Sequence, residues 1–209
     1  MPHYIVIEGV IGVGKTTLTR LLAKTLNAAP VLEVVEENPF LSDFYGDRAR
    51  YAFQTQTFFL LSRFKQQTNE ITPQRTHTSL ISDYLFAKNE IFARQNLSSD
   101  ELALFYQLYQ TLAERIPQPD LVVYLQADVD TLMARIALRD RPFERNMERS
   151  YIAALQEAYD QFFAEHQATP LLRVATDTLN LVRDPQARAY VVGQIKAALA
   201  GYQQPSLDF

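Results

Sequence analysis

The sequence predicts an α/β protein, a five-stranded parallel sheet flanked by helices. Two observations carry that prediction. Short apolar, β-branched runs alternate along the chain with longer stretches whose apolar residues recur at helical spacing. The first such run meets a glycine-rich turn and then a helix, and a second run follows, which is the strand–helix–strand unit of parallel sheets.

The first strand is YIVIE, residues 4–8, and the helix after the turn, KTTLTRLLAKTLN, carries Leu18, Leu21, Leu22 and Leu26 on one face. APVLEVV, residues 29–35, is the second strand. From Pro39 to about Thr72, aromatic and leucine residues recur at helical intervals. HTSLIS, residues 77–82, reads as the third strand, and residues 84–116 as helix with a capped restart at LSSDE. Pro117 and Pro119 end that stretch, and DLVVYLQA, residues 120–127, is the clearest buried strand. A helix follows with Asp128 as N-cap. RPFERN breaks it, residues 148–167 are helical again, PLLRVAT (170–176) is the fifth strand, and PQARAYVVGQIKAALAG closes the pattern. The tail YQQPSLDF reads as poorly ordered. No repeat or linker interrupts the chain, so residues 1–209 are expected to form one domain.

Composition narrows the function. With 20 basic and 24 acidic side chains, the net charge is -4, and no Lys/Arg stripe suits a polymeric nucleic acid. The chain has no cysteine, which removes disulfides, thiolate metal sites and cysteine nucleophiles. His3, His77 and His166 are too scattered to suggest a metal centre. No apolar run has the roughly 18 residues of a membrane helix, and no basic, apolar leader precedes the first strand, so no membrane is expected as a partner and the expected address is cytoplasmic.

GVIGVGKT, Gly9 to Thr16, fits G-x-x-x-x-G-K-[ST] and lies between a buried strand and a helix start, as a phosphate cradle requires. Gly9, Gly12 and Gly14 let successive N–H groups converge on an anion, and the helix N-terminus adds its positive end. Lys15 can reach the β- and γ-phosphates of a nucleoside triphosphate, the Thr16 hydroxyl can ligate Mg²⁺, and Thr17 completes the loop, taken as residues 9–17. Glu8 suits either support of a metal or a structural bond. A guanine-reading N-K-x-D is missing; AKNE, residues 87–90, lacks the aspartate.

EVVEENPF, residues 33–40, offers three glutamates. Ligands of such sheets bind beyond the carboxyl ends of the strands. Glu33 stands at the end of strand 2, expected beside the strand of the phosphate loop, whereas Glu36 and Glu37 come a turn later, where solvated or capping roles are common. A general base must lie within hydrogen-bond reach of its proton, and geometry favours Glu33.

Together with those two motifs, FYGDRARYAFQTQTFFLLSRF, SDYLFAKNEIFA and RIALRDRPFE resemble, in order and over nearly the whole chain, the deoxyribonucleoside kinase family, and within it bacterial deoxyguanosine and deoxyadenosine kinases. The resemblance implies a P-loop kinase fold with an arginine-bearing lid at about 135–147. It also implies transfer of the γ-phosphoryl group of ATP, with Mg²⁺, to the 5′-hydroxyl of a purine deoxyribonucleoside, a step of nucleotide salvage. Deoxyguanosine is the expected acceptor and deoxyadenosine the alternative; a P-loop module that binds nucleotide without transferring phosphate is the remote alternative.

By the same resemblance, Glu33 is the base, Tyr45 and Glu144 bind the sugar 3′-hydroxyl, and Gln56 and Arg63 lie at the base edge. Phe92 stacks on the base, and Arg135, Arg139 and Arg141 are lid arginines closing on transferred phosphate. Phe53, Phe58 and Phe59 suit base stacking or core packing alike, and Lys88 base recognition or exposure. The departure is SDY: family members carry an arginine after the acid, whereas here Tyr84 follows Asp83. Asp83 is a candidate for Mg²⁺ and the substrate site, with the alignment ambiguous by one residue. The resemblance further implies a homodimer packed through helices within 45–70 and 84–116, inhibition by a deoxynucleoside triphosphate end product, and an adenine border at residues 176–185.

Overall fold

The structure, a computed structural model, describes residues 1–202, so the expectation for the tail lies, from residue 203 on, outside the described residues. Its strands are β1 (Tyr4–Glu8), β2 (Ala29–Val31), β3 (Leu80–Ser82), β4 (Leu121–Gln126) and β5 (Leu171–Ala175). They form one all-parallel sheet in the order β2-β3-β1-β4-β5. Every residue of β1 is buried, as are Leu121–Leu125 of β4, which is why both read as unbroken apolar runs rather than alternating ones.

The helices are α1 (Lys15–Leu26), α2 (Leu41–Gly46), α3 (Arg48–Gln66), α4 (Thr72–Gln74), α5 (Lys88–Asn96), α6 (Ser99–Ala113), α7 (Val129–Arg139), α8 (Arg149–Glu165) and α9 (Pro185–Tyr202). Asp128 caps α7 as expected, accepting the Thr131 N–H at 2.7 Å. The lid break between α7 and α8 holds a short 3₁₀ turn, Pro142–Glu144. No helix among the described residues is long and apolar enough to cross a membrane.

Four expectations need correction. β3 lies between β2 and β1, so strand 2 does not adjoin the strand of the phosphate loop. The second strand stops at Val31 rather than residue 35, because Asp83 closes the ladder: its N–H donates to the Val31 carbonyl, and its carboxylate accepts the Glu33 N–H at 2.7 Å. The helix expected from 84 starts only at Lys88: the Tyr84 carbonyl, which would accept the Lys88 N–H in a helix begun there, accepts the Ser82 hydroxyl at 2.9 Å, and the Lys88 N–H goes to the Leu85 carbonyl. The helical stretch from Pro39 is likewise divided at Asp47, whose non-helical backbone and side-chain bond to the Arg50 N–H restart it as α3.

Candidate active site

The phosphate loop joins β1 to α1. Gly9 has φ 151°, and a Cβ there would stand 2.5 Å from the Leu125 carbonyl oxygen of the neighbouring strand. Gly12, at φ 90°, would push a Cβ to 2.9 Å from the Leu132 carbonyl. These two glycines let the loop lie against β4 and α7 in conformations L-residues rarely adopt. Lys15 turns back over the loop, donating to the Gly9 carbonyl at 2.6 Å and that of Val10 at 3.2 Å. Burial above all, with repulsion from Lys88, brings its pKa down to about 8 against the pull of Glu8, Glu33 and Asp83.

Asp83 ties this loop to the acceptor side. One carboxylate oxygen accepts the Thr16 hydroxyl at 2.5 Å and the other the Glu33 N–H. Glu8 makes a second tie, accepting from the Gly9 N–H at 2.8 Å, the Leu85 N–H and the Tyr159 hydroxyl at 3.2 Å, so its oxygens serve structural bonds. Thr17, the second threonine of α1, is half-buried and makes no side-chain hydrogen bond to a described residue.

Glu33 is the electrostatic centre. Its side chain is 9% exposed and paired with two cations: Arg63 of α3, whose Nε reaches Oε1 at 2.7 Å, and Lys88 of α5, whose Nζ reaches Oε2 at 2.7 Å. Burial alone would raise the carboxyl, but Lys88 and Arg63 outweigh it and hold the group well below the usual carboxylate range. Glu33 therefore stands ionised and aimed, while Glu36 is 76% exposed and faces lid Arg141 at 3.7 Å.

Arg63, expected at the base edge, is buried, with its fork on Glu33 and the Asn89 amide oxygen. Gln56 is 2% exposed and makes no side-chain hydrogen bond to a described residue, so its amide donor and acceptor are open. Phe92 is buried, edge-on to Tyr159, with the Lys88 ammonium 5.4 Å from its ring centre. Phe59 packs in the core under the Arg63 guanidinium, and Phe58 meets it edge-on.

Tyr45 of α2 stacks on Phe143 of the lid at 6.0 Å, and burial, then nearby Tyr151 and Glu144, raises its hydroxyl pKa. Glu144 is 4% exposed and gripped by Arg139 at 2.6 and 2.7 Å, while Arg141 stands 3.8 Å from it. Arg135 is turned elsewhere, donating to Thr176 Oγ1 at 3.0 Å and to the Val13 carbonyl at 3.2 Å, so it bridges the phosphate loop and the segment after β5.

Lys88 and Asn89 escaped the sequence reading as partners of Glu33 and Arg63. Their signal was faint: two polar residues just before an apolar helix face, with partners 55 and 26 positions away. The assembled site offers a phosphate cradle, a fixed carboxylate beside it and a cation-rich lid, the parts of phosphoryl transfer to an uncharged hydroxyl.

Comparison with known proteins agrees with that geometry. The family model described as deoxynucleoside kinase matches residues 5–200. Deoxyguanosine kinase of Bacillus subtilis is 38% identical over 176 residues, covering 83% of this chain and 84% of its own. Deoxyadenosine/deoxycytidine kinase of the same organism is 31% identical over 208 residues, covering 96% and 94%. The solved structure of deoxyadenosine kinase from M. mycoides with dCMP and dCDP bound superposes with a TM-score of 0.82 at 23% identity, over 93% of this chain and 99% of that one, and shares the P-loop kinase fold. A sheet in the order seen here, a glycine loop at its centre and a match across residues 5–200 together place the chain in the deoxynucleoside kinase family.

Proposed function

We propose that this chain, working as one domain, transfers the γ-phosphoryl group of ATP to the 5′-hydroxyl of a purine deoxyribonucleoside, deoxyguanosine foremost. The observation that carries the reading is the Glu33 carboxylate, ionised between Arg63 and Lys88 and tied through Asp83 to Thr16 of the phosphate loop. In the transfer, the 5′-oxygen bonds the γ-phosphorus and the bond from that phosphorus to the β–γ bridging oxygen breaks. Its electron pair leaves with ADP, and the hydroxyl proton passes to Glu33. The transition state is loose, so alignment and charge neutralisation do most of the work. Lys15 and lid residues Arg139 and Arg141 hold phosphate charge, Arg135 braces the loop, and Tyr45 and Glu144 meet the sugar 3′-hydroxyl.

The Thr16 hydroxyl and Asp83 carboxylate, 2.5 Å apart, make a pair of hard oxygen ligands that suits Mg²⁺. Bound there, the ion would neutralise charge on the β- and γ-phosphates.

Gln56 supports base recognition because its buried amide has both a donor and an acceptor to offer. Guanine is favoured by the 38% identity to a deoxyguanosine kinase; a relative 31% identical that acts on deoxyadenosine and deoxycytidine keeps deoxyadenosine as the second reading. Exposed Leu61 on α3 and Leu104 and Leu108 on α6, two helices that pack together, support a homodimer. The cytoplasm is the proposed address and purine salvage the proposed role.

The test is phosphorylation of deoxyguanosine, deoxyadenosine, deoxycytidine and thymidine with Mg²⁺-ATP, beside Glu33→Gln. Highest turnover on deoxyguanosine, with a loss of about 100-fold or more in the variant, is expected. Preference for deoxyadenosine would change the acceptor and keep the mechanism; no transfer to any nucleoside would refute it.

A further inference from the structure

We infer that Lys88 is a positioning residue for Glu33, and that its hold leaves Oε2 of that carboxylate as the atom that takes the 5′-hydroxyl proton. The inference rests on the proposed role of Glu33 as base. Glu33 lies beyond the end of β2, in a segment that is neither helix nor strand, so regular backbone structure does not fix where its side chain points. Two cations from two helices do.

Their hold on the two oxygens is unequal. Oε1 faces both Nε of Arg63 at 2.7 Å and Nη2 at 2.5 Å, and the remaining Nη1 is bound to Asn89. Oε1 accepts the Nε–H bond, and the second nitrogen of the same fork lies against it, so the guanidinium covers that oxygen. Oε2 meets the Lys88 ammonium alone, which leaves one acceptor position. A hydroxyl must come within roughly 2.6–3.2 Å of its base, and the open position on Oε2 admits it while Lys88 stays in place.

The location of Lys88 breaks two local rules. It is the first residue of α5, where the helix dipole disfavours a cation, and it is only 5% exposed, so its ammonium has given up most of its water. Its ion-pair partner among the described residues is Glu33, with the Phe92 ring beside it. Neither of the other candidates does this work. The Tyr84 hydroxyl is buried without a bond to Glu33, and Lys15 is turned to the Gly9 and Val10 carbonyls.

Steady-state kinetics on Lys88→Met, Lys88→Gln, Glu33→Gln and the double variant Lys88→Met/Glu33→Gln test the inference, with folding checked by circular dichroism. Lys88→Met is expected to lower kcat about 100-fold, the scale of a misaimed group, while KM for nucleoside and ATP stays within about threefold. Lys88→Gln, which keeps one neutral donor, should fall between it and wild type, and it carries the test alone if Lys88→Met does not fold. The double variant should be no slower than Glu33→Gln, because Lys88 acts through that carboxylate. A Lys88→Met kcat within about threefold of wild type, or a double variant in which the two losses multiply, would overturn the inference. Wild-type turnover by Glu33→Gln would remove the base assignment itself, and this inference with it.

Discussion

Arg63→Met asks whether the buried cluster around Glu33 is held together by charge. Arg63 is 3% exposed, binds Glu33 through two nitrogens and Asn89 through a third, and lies 4.9 Å from the centre of the Phe59 ring. Methionine keeps most of the apolar stem and removes the fork. Breaking one side of a buried ion pair costs about 3–5 kcal/mol, because the abandoned charge keeps its desolvation penalty. Lys88 still faces Glu33, which puts the expected loss at the low end, about 3 kcal/mol. For a chain of 209 residues, that loss lowers the melting temperature by about 6–12 °C.

The decisive measurement is a double-mutant cycle with Glu33→Gln, followed by urea unfolding without nucleotide. Glu33→Gln alone leaves two buried cations against a neutral amide, and the double variant removes one of them. The two losses should therefore fall short of adding by about 2 kcal/mol, within the range for residues in direct contact. A single loss under about 1 kcal/mol, or a coupling under about 0.5 kcal/mol, would mean that the cluster is solvated enough to make these contacts inexpensive, and the account of an aimed, buried base would be wrong.

Two further outcomes check the phosphate loop. Gly14 has φ 107° but open space where a Cβ would sit, so Gly14→Ala should cost only backbone strain, about 1–3 kcal/mol. Gly9→Ala adds a 2.5 Å clash with the Leu125 carbonyl, and should cost more than about 4 kcal/mol in the same unfolding assay; equal losses would refute the packing argument. The second outcome concerns pH. Burial brings the Lys15 pKa down to about 8 in the folded chain from an ordinary 10.5, so the unfolded chain binds more protons between those limits and stability must rise with pH there. Above about 10 the trend reverses as tyrosines ionise in the unfolded chain, since burial pushes Tyr4 and Tyr151 up to about 12 in the fold. Melting curves from pH 7 to 10 should show the rise in wild type and its loss in Lys15→Met; parallel curves would show that Lys15 is not desolvated.

The phosphate loop was legible because its signal is local: a buried strand, three glycines and a lysine at a helix start sit within 13 residues, 4–16. Glu33 was legible for a different reason, since the carboxyl end of a parallel strand faces the ligand edge whatever the strand order. The order itself was misread, because nothing in two short strands says which one inserts beside β1. Glu33 nonetheless reaches the loop, because β3 ends at Ser82 and its next residue, Asp83, links Thr16 to the Glu33 backbone. Lys88 was illegible for the converse reason. It stands at a helix start, where lysines are commonly solvated, and only the fold brings Glu33 to within 2.7 Å of it. Residues 84–87 look helical by composition, yet the Tyr84 carbonyl that would accept the Lys88 N–H takes the Ser82 hydroxyl, and the Leu85 N–H goes to Glu8, 77 positions away.

That last bond bears on how the two halves of the site stay in register. Glu8 joins the first amide of the phosphate loop to Leu85, and Asp83 joins the first helical hydroxyl of the same loop to the backbone of Glu33. Both ties converge on residues 83–85, and three positions later the same stretch delivers Lys88 to the Glu33 carboxylate. A shift of this stretch would therefore move the phosphate loop, the Glu33 carboxylate and its Lys88 partner together. Phosphoryl transfer penalises misalignment of donor and acceptor far more than a small displacement of both. A short, buried segment whose Asp83 binds the loop hydroxyl and the Glu33 N–H, and whose Leu85 N–H is held by Glu8 of β1, is a physical means of keeping that relative geometry constant.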